Sequence, residues 1–155
     1  MAAWDLVDLE RRGFGPRRSL AGLTLAELPT TAAVYAVVRP DLSAPNFYEQ
    51  SPAGWFKGKD PTVGLGVLRL NWIHDAAVAY LGKANNLRAR ITLLRRFSKG
   101  EPVGHWGGRL LWQADVAYAL TWMATPGAAP RASEKSFLED FVHHFGALPF
   151  ANLRG

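Results

Sequence analysis

Apolar positions along the chain change period several times, and each change predicts an element. Thr31 to Val38 (TAAVYAVV) is a continuous apolar run between Pro29 and Pro40, the signature of a short buried strand. Ala77 to Leu81 is a second strand, ended by Gly82, and Val116 to Met123 (VAYALTWM) is a third. Leu87, Ile91 and Leu94 recur at helical spacing behind Asn86, a good N-cap, and predict a helix to about Phe97. Phe137, Leu138, Phe141, Val142 and Phe145 form the stripe of a second amphipathic helix, Ser133 to Phe145, with Ser133 as its cap. Val67 to Ile73 and Arg109 to Gln113 read as short elements, and Thr125 to Pro130 as a connector.

The order β-β-α-β-α predicts an α+β fold, a small three-stranded mixed or antiparallel sheet flanked by helices. Residues 1–30, with alternating Leu20, Leu23, Leu25 and Leu28 near their end, read as an N-terminal arm and lead-in to a domain over 31–155. Residues 39–66 are rich in Pro, Gly, Ser and Asn, a long loop that is either functional or flexible.

Composition narrows the setting. The 155 residues suit one domain, with 48% apolar and 20% charged residues. The absence of cysteine excludes disulfides and thiolate zinc sites. Neither a signal-peptide pattern nor a run approaching the roughly 20 apolar residues of a membrane span is present, so a cytoplasmic protein without a membrane partner is expected. The net charge of +5 is uneven: Lys83 to Lys99 carries Lys83, Arg88, Arg90, Arg95, Arg96 and Lys99 and no acid. Such a run is either a solvated helix face or a grip on phosphates.

Chemistry concentrates at AYLGKANNLRARI, Ala79 to Ile91. Gly82 permits a turn, and Lys83 beside a helix N-terminus makes a place for phosphate. On a helical wheel of roughly 100° per residue Arg90 falls at the edge of the apolar stripe, where it either reaches over a cleft or snorkels past the core. On the last helix Glu134 projects near the centre of the inward stripe, whereas Glu139 is roughly 130° away. An inward carboxylate is costly unless a metal or cation meets it.

VYAVV at Val34 to Val38, followed by YLGKANNLRARI, resembles the two halves of the GIY-YIG nuclease signature, and GKANNLRAR is similar to the endonuclease domain of the bacterial excision-repair incision subunit. The match departs at Ala33 and Leu81 and in spacing. Tyr35 and Tyr80 stand 45 residues apart, so residues 40–70 count as an insertion. The resemblance implies a metal-dependent endonuclease with Tyr35, Tyr80, Arg90 and Glu134 as catalytic residues. Glu134 would hold Mg²⁺ or Mn²⁺, Arg90 would neutralise the transition state, and Tyr35 or Tyr80, its pKa depressed by nearby cations, would orient or deprotonate water. Glu139 stays the alternative ligand by its distance to Asn152, which matches the family's tail asparagine and would steady the site with Gly82.

Lys83, Arg88, Arg95, Arg96, His105 and Arg109 are the candidate nucleic-acid contacts, with DNA placed ahead of RNA. For His105 and Arg109 the commoner reading is an ordinary loop residue. Trp55, Phe56, Lys57 and Lys59 read either as a contact loop or as a folded-back one. A homodimer or protein partner would enlarge the small DNA-binding surface. The competing expectation is a catalytically inactive nucleic-acid-binding module of the same fold.

Overall fold

The computed structural model describes residues 4–127 and 129–153. The first three residues of the arm, one residue of the 125–130 connector and the last two of the tail lie outside the described residues. Four α-helices, α1 (Leu6–Arg11), α2 (Leu65–Asn71), α3 (Leu87–Ser98) and α4 (Pro130–Phe145), surround four strands, β1 (Arg18–Ser19), β2 (Ala33–Val38), β3 (Val78–Ala84) and β4 (Ala119–Ala124). The protein is α+β, with one antiparallel sheet in the order β1-β4-β2-β3. The expected three-stranded sheet gains a fourth member because Arg18 and Ser19 pair with Leu120 and Ala119. Two residues of pairing leave no periodicity for a sequence to display.

Several boundaries also move: the strand expected from Val116 begins at Ala119, where its pairing with β2 starts, and the element expected over Val67 to Ile73 is α2, Leu65–Asn71. Gly82 does not end β3, which continues to Ala84 because β2 pairs with it throughout, Ala33 opposite Ala84 and Tyr35 opposite Gly82. The last helix begins at Pro130, not Ser133: Ala129 is the N-cap and proline occupies the first turn, where its missing N–H costs nothing. Glu134 is therefore past the capping turn. Residues 106–113 form 3₁₀ turns on either side of a kink at Gly108, where only a 109–113 element was expected.

Every β2 residue is buried, since both faces of the sheet are covered. On one face Tyr35, Val37, Tyr80, Ile91, Leu94 and Leu110 share a core beneath α3; on the other Val34, Ala36, Leu81 and Phe141 pack with Trp4, Leu9 and Phe14. Trp4 meets Phe137 and Phe141 edge-on, and Arg12 pairs with Asp140, so the arm is built into the fold. At about 2 kcal/mol per buried side chain, Trp4, Leu9 and Phe14 together rival a typical net stability of about 5–15 kcal/mol. The arm is structural.

The 40–70 segment is folded back. The buried Gln113 amide donates to Tyr48 O at 2.9 Å and Val63 O at 2.8 Å and accepts from Val63 N at 2.9 Å, and Phe47 packs with Trp72 and Phe150. The tail protects the exposed edge of β3. Asn152 accepts from Leu81 N at 2.9 Å and donates to Leu81 O at 2.8 Å, while Ala151 N reaches Ala79 O at 2.8 Å. These bonds replace a missing neighbour strand along the backbone that carries Tyr80 and Gly82.

Candidate active site

Tyr35 sits mid-sheet on β2 with its ring lying across Gly82 of the neighbouring strand. A β-carbon at Gly82 would lie 2.4 Å from Tyr35 Cζ and 2.5 Å from its hydroxyl, so glycine is needed there for space. Tyr80, two residues earlier on β3, places its ring centre 6.0 Å from that of Tyr35. The third ring is His105. Its Nε2 is 3.1 Å from the Tyr35 hydroxyl, a hydrogen bond whose donor follows the imidazole tautomer, and its ring centre is 5.5 Å from that of Tyr80. Gly108 leaves room for the imidazole, since a β-carbon there would lie 2.5 Å from His105 Cε1. His105 Nδ1 is buried and finds no hydrogen-bond partner among the described residues.

His105 lies in the loop ahead of residues 106–113, as one of the two sequence expectations had it, but at 1% exposed it is buried against Tyr35, too deep to touch phosphate. The doublet Gly107-Gly108, which permits close packing around the ring, was the signal available in the sequence.

Arg90, from the third position past Leu87 on α3, comes to the rings half-buried; its guanidinium makes a long bond, 3.4 Å from Nη1 to Gly104 O, and lies within hydrogen-bonding reach of the Tyr35 and Tyr80 hydroxyls. Its charge favours ionisation of both phenols, yet burial dominates and pushes Tyr35 and Tyr80 above the ordinary phenol value. The depressed tyrosine pKa expected from the sequence is therefore overturned: cations are close, but desolvation outweighs them. Burial also lowers His105 to about 3, with Arg90 adding to the effect, so the imidazole is neutral. Burial alone would lower Arg90, and the two phenols more than offset it, so the guanidinium remains charged.

Glu134 approaches from α4, half-buried. Burial raises its pKa, opposed by Lys83, then Arg131, then Arg90, and its own charge is felt at Tyr80. It forms no ion pair among the described residues. Glu139 is exposed. Lys83, opposite Val34, lies on the other face of the sheet from Tyr35 and joins Arg90 and Arg131 in lining a cleft of about 670 Å³ between the starts of α3 and α4. Arg131, which the sequence reading passed over, stands one turn before Glu134 and is the extra cation.

The start of α3 is less open to phosphate than the sequence suggests. Leu87 N donates to Thr31 O, Arg88 N to Pro29 O, and Ala89 N to the Asn86 side chain at 3.0 Å. What attracts an anion here is side-chain charge, since the free amides are already used.

The other basic candidates are engaged within the fold. Arg88 donates to Leu28 O and Ala26 O, and Arg95 to Leu23 O and Ala21 O, clamping the lead-in to α3. Arg96 pairs with Glu101 at 3.0 Å, and Arg109 stacks on Trp106 while donating to its carbonyl. None of these four belongs to the ring cluster.

A metal would meet few carboxylates here: no group of three or more His, Asp or Glu side chains gathers among the described residues, and Glu134 and Glu139 line one groove along α4. A desolvated carboxylate without an ion-pair partner fits a hard dication that keeps most of its shell as water. No helix among the described residues is long and apolar enough to cross a membrane. No family model, no curated protein and no solved structure matches the chain.

Proposed function

We propose that this protein is a metal-dependent endonuclease of the GIY-YIG type that hydrolyses phosphodiester bonds in DNA. The observation that carries the reading is the convergence of Tyr35, Tyr80 and Arg90 with the field of the Glu134 carboxylate, from four separate elements. Lys83 and Arg131 line the adjoining cleft, where they would hold phosphates beside the scissile one. Arg90 has donors to spare and neutralises the charge that grows on the pentacovalent phosphorus. Tyr80 keeps 8% of its surface and Tyr35 none, so Tyr80 is the phenol that meets the attacking water. With its pKa raised, Tyr80 orients that water by hydrogen bonding, while Tyr35 and neutral His105 hold the ring pair in place.

Glu134 would hold Mg²⁺ or Mn²⁺, which when bound supplies Lewis acidity at the phosphate and stabilises the leaving oxygen. The second reading, a nucleic-acid-binding module that cleaves nothing, is favoured by the raised phenols and by the three cations that compete for Glu134.

Supercoiled plasmid and branched DNA should be nicked in Mg²⁺ or Mn²⁺ and spared in EDTA, and Glu134→Gln should abolish nicking while the fold persists. Salt-sensitive DNA binding with no metal-stimulated nicking on any substrate would establish the second reading instead.

A further inference from the structure

We infer that the hairpin Trp55–Lys59, at the tip of the 40–70 segment, is a stacking platform for an unpaired base flanking the bond to be cut; the word "cut" rests on the nuclease reading above. Phe56 and Lys59 bond to each other in both directions, at 3.2 and 3.0 Å, and the two residues between them, Lys57 and Gly58, have φ of 53° and 75°. Two positive φ angles define a tight type I′ turn, in which glycine is at ease and lysine is strained. A lysine kept in a position better suited to asparagine suggests that its charge is wanted at the tip.

The turn is rigidly mounted. Gly54 N donates to Phe97 O at 3.0 Å, and the backbones approach so closely that a β-carbon on Gly54 would lie 1.9 Å from Glu101 O. The Phe56 ring rests on Gly104, within 3.6 Å of where a β-carbon would stand, and Gly104 supplies the carbonyl that receives Arg90. The hairpin and the guanidinium of the candidate site therefore share one wall.

On this mount Trp55 is 57% exposed, although the protein buries rings such as Trp4 completely. Lys57 and Lys59, in the turn that follows it, are exposed and outside any ion pair among the described residues; the Lys57 ammonium stands 5.2 Å from the centre of the Phe56 ring, and the nearby Asp60 carboxylate accepts from Thr62 N at 2.9 Å. An exposed indole with two exposed lysines within four residues of it supplies the stacking face and the cations that a base and its adjoining phosphates need. A base inside a duplex already has both faces stacked, so a single indole on a protruding turn selects a strand whose bases are free: a flap, a gap or a single-stranded tail.

The test is fluorescence anisotropy in EDTA with a labelled single strand, a duplex bearing a 5′ flap and a blunt duplex. Trp55→Ala should weaken binding of the single strand and the flap by about tenfold or more and leave the blunt duplex unchanged, and Trp55→Phe should retain most of the affinity. Equal losses on all three ligands, no loss on any, or no nucleic-acid binding by the unmodified protein would overturn the inference. A thermal melt of Trp55→Ala matching the parent verifies the fold. Because no metal is present, the outcome is independent of cleavage. Flap binding that depends on Trp55, in a protein that never nicks in Mn²⁺, supports the platform and removes only the nuclease reading. Nicking with an unchanged flap preference in Trp55→Ala removes only the platform.

Discussion

The two flanks of α3 carry the same kind of side chain in opposite states. On one flank Arg88 and Arg95 spend their donors on four carbonyls between Ala21 and Leu28, and so bind the lead-in to the helix. On the other, Arg90 makes one long bond, 3.4 Å, to a fixed carbonyl, that of Gly104, and otherwise faces the hydroxyls of Tyr35 and Tyr80. The first flank resembles mortar, a set of charge-assisted bonds that close on themselves. The second has capacity left over, which is what a site that must meet a developing negative charge requires. A basic helix is therefore poor evidence of a nucleic-acid surface until each guanidinium's partners are known.

The sharpest way to break this comparison is to truncate both flanks. Arg90→Ala should slow metal-dependent nicking by about 10²–10³-fold or more and leave the melting temperature nearly unchanged. Arg88→Ala and Arg95→Ala should do the reverse: normal nicking, with a loss of about 1–2 kcal/mol each, or roughly 2–6 °C in Tm. Plasmid nicking and calorimetry on the three variants decide it, and a stability loss confined to Arg90→Ala would reverse the assignment.

Gly82→Ala tests whether the phenols need their seat. The added methyl must displace the Tyr35 ring, with an expected loss of about 10²-fold in nicking and about 1–3 kcal/mol in stability. Gly66→Ala is the control: a β-carbon there meets nothing within 4 Å, and alanine in α2 should stabilise by about 0.4–1 kcal/mol.

His105 makes the ring side of the comparison sensitive to acid. Its value in the fold, about 3, lies below the ordinary 6.5, so between these limits the unfolded chain binds the extra proton. Stability is complete above about pH 6.5 and should fall as the pH drops from there towards 3. His105→Gln should flatten the slope of Tm between pH 7 and 4; an unchanged slope would mean that other groups set it.

The smallest effect on stability is expected at Glu134, whose pKa is raised by burial. Its contribution is most favourable below the ordinary 4.5 and is lost as the pH rises through its folded value, leaving the carboxylate a burden at neutral pH. Glu134→Gln should raise Tm slightly without metal, and only the parent should gain further on adding Mn²⁺. A fall in Tm for the variant would show that Glu134 is held by partners.

Much of the frame was legible in the residues. The run TAAVYAVV marks β2 because only a strand covered on both faces can be continuously apolar, and Asn86 before the Leu87, Ile91, Leu94 stripe marks α3 because a cap and a 3.6-residue period together admit few alternatives. Arg90 stands out from local pattern, at the edge of a helical stripe, whereas Tyr35 and Tyr80 read locally as core aromatics and were singled out only by the resemblance of their two runs to a known signature. The long segment after Pro40 was not legible, because its order comes from a distant amide, Gln113, and from rings at Trp72 and Phe150.

What the sequence alone determined is the three longer strands, the two long helices and the chemical inventory that they carry, since these follow from periodicity and residue type over a few neighbours. What only the tertiary structure decided is which donors are already used and which groups lose water: Arg88 and Arg95 engaged, Arg90 with donors left, His105 buried against Tyr35, both phenols raised. Those outcomes depend on atoms far apart in the chain, because desolvation and hydrogen bonding are set by whatever packs across the gap, and local pattern contains no record of it.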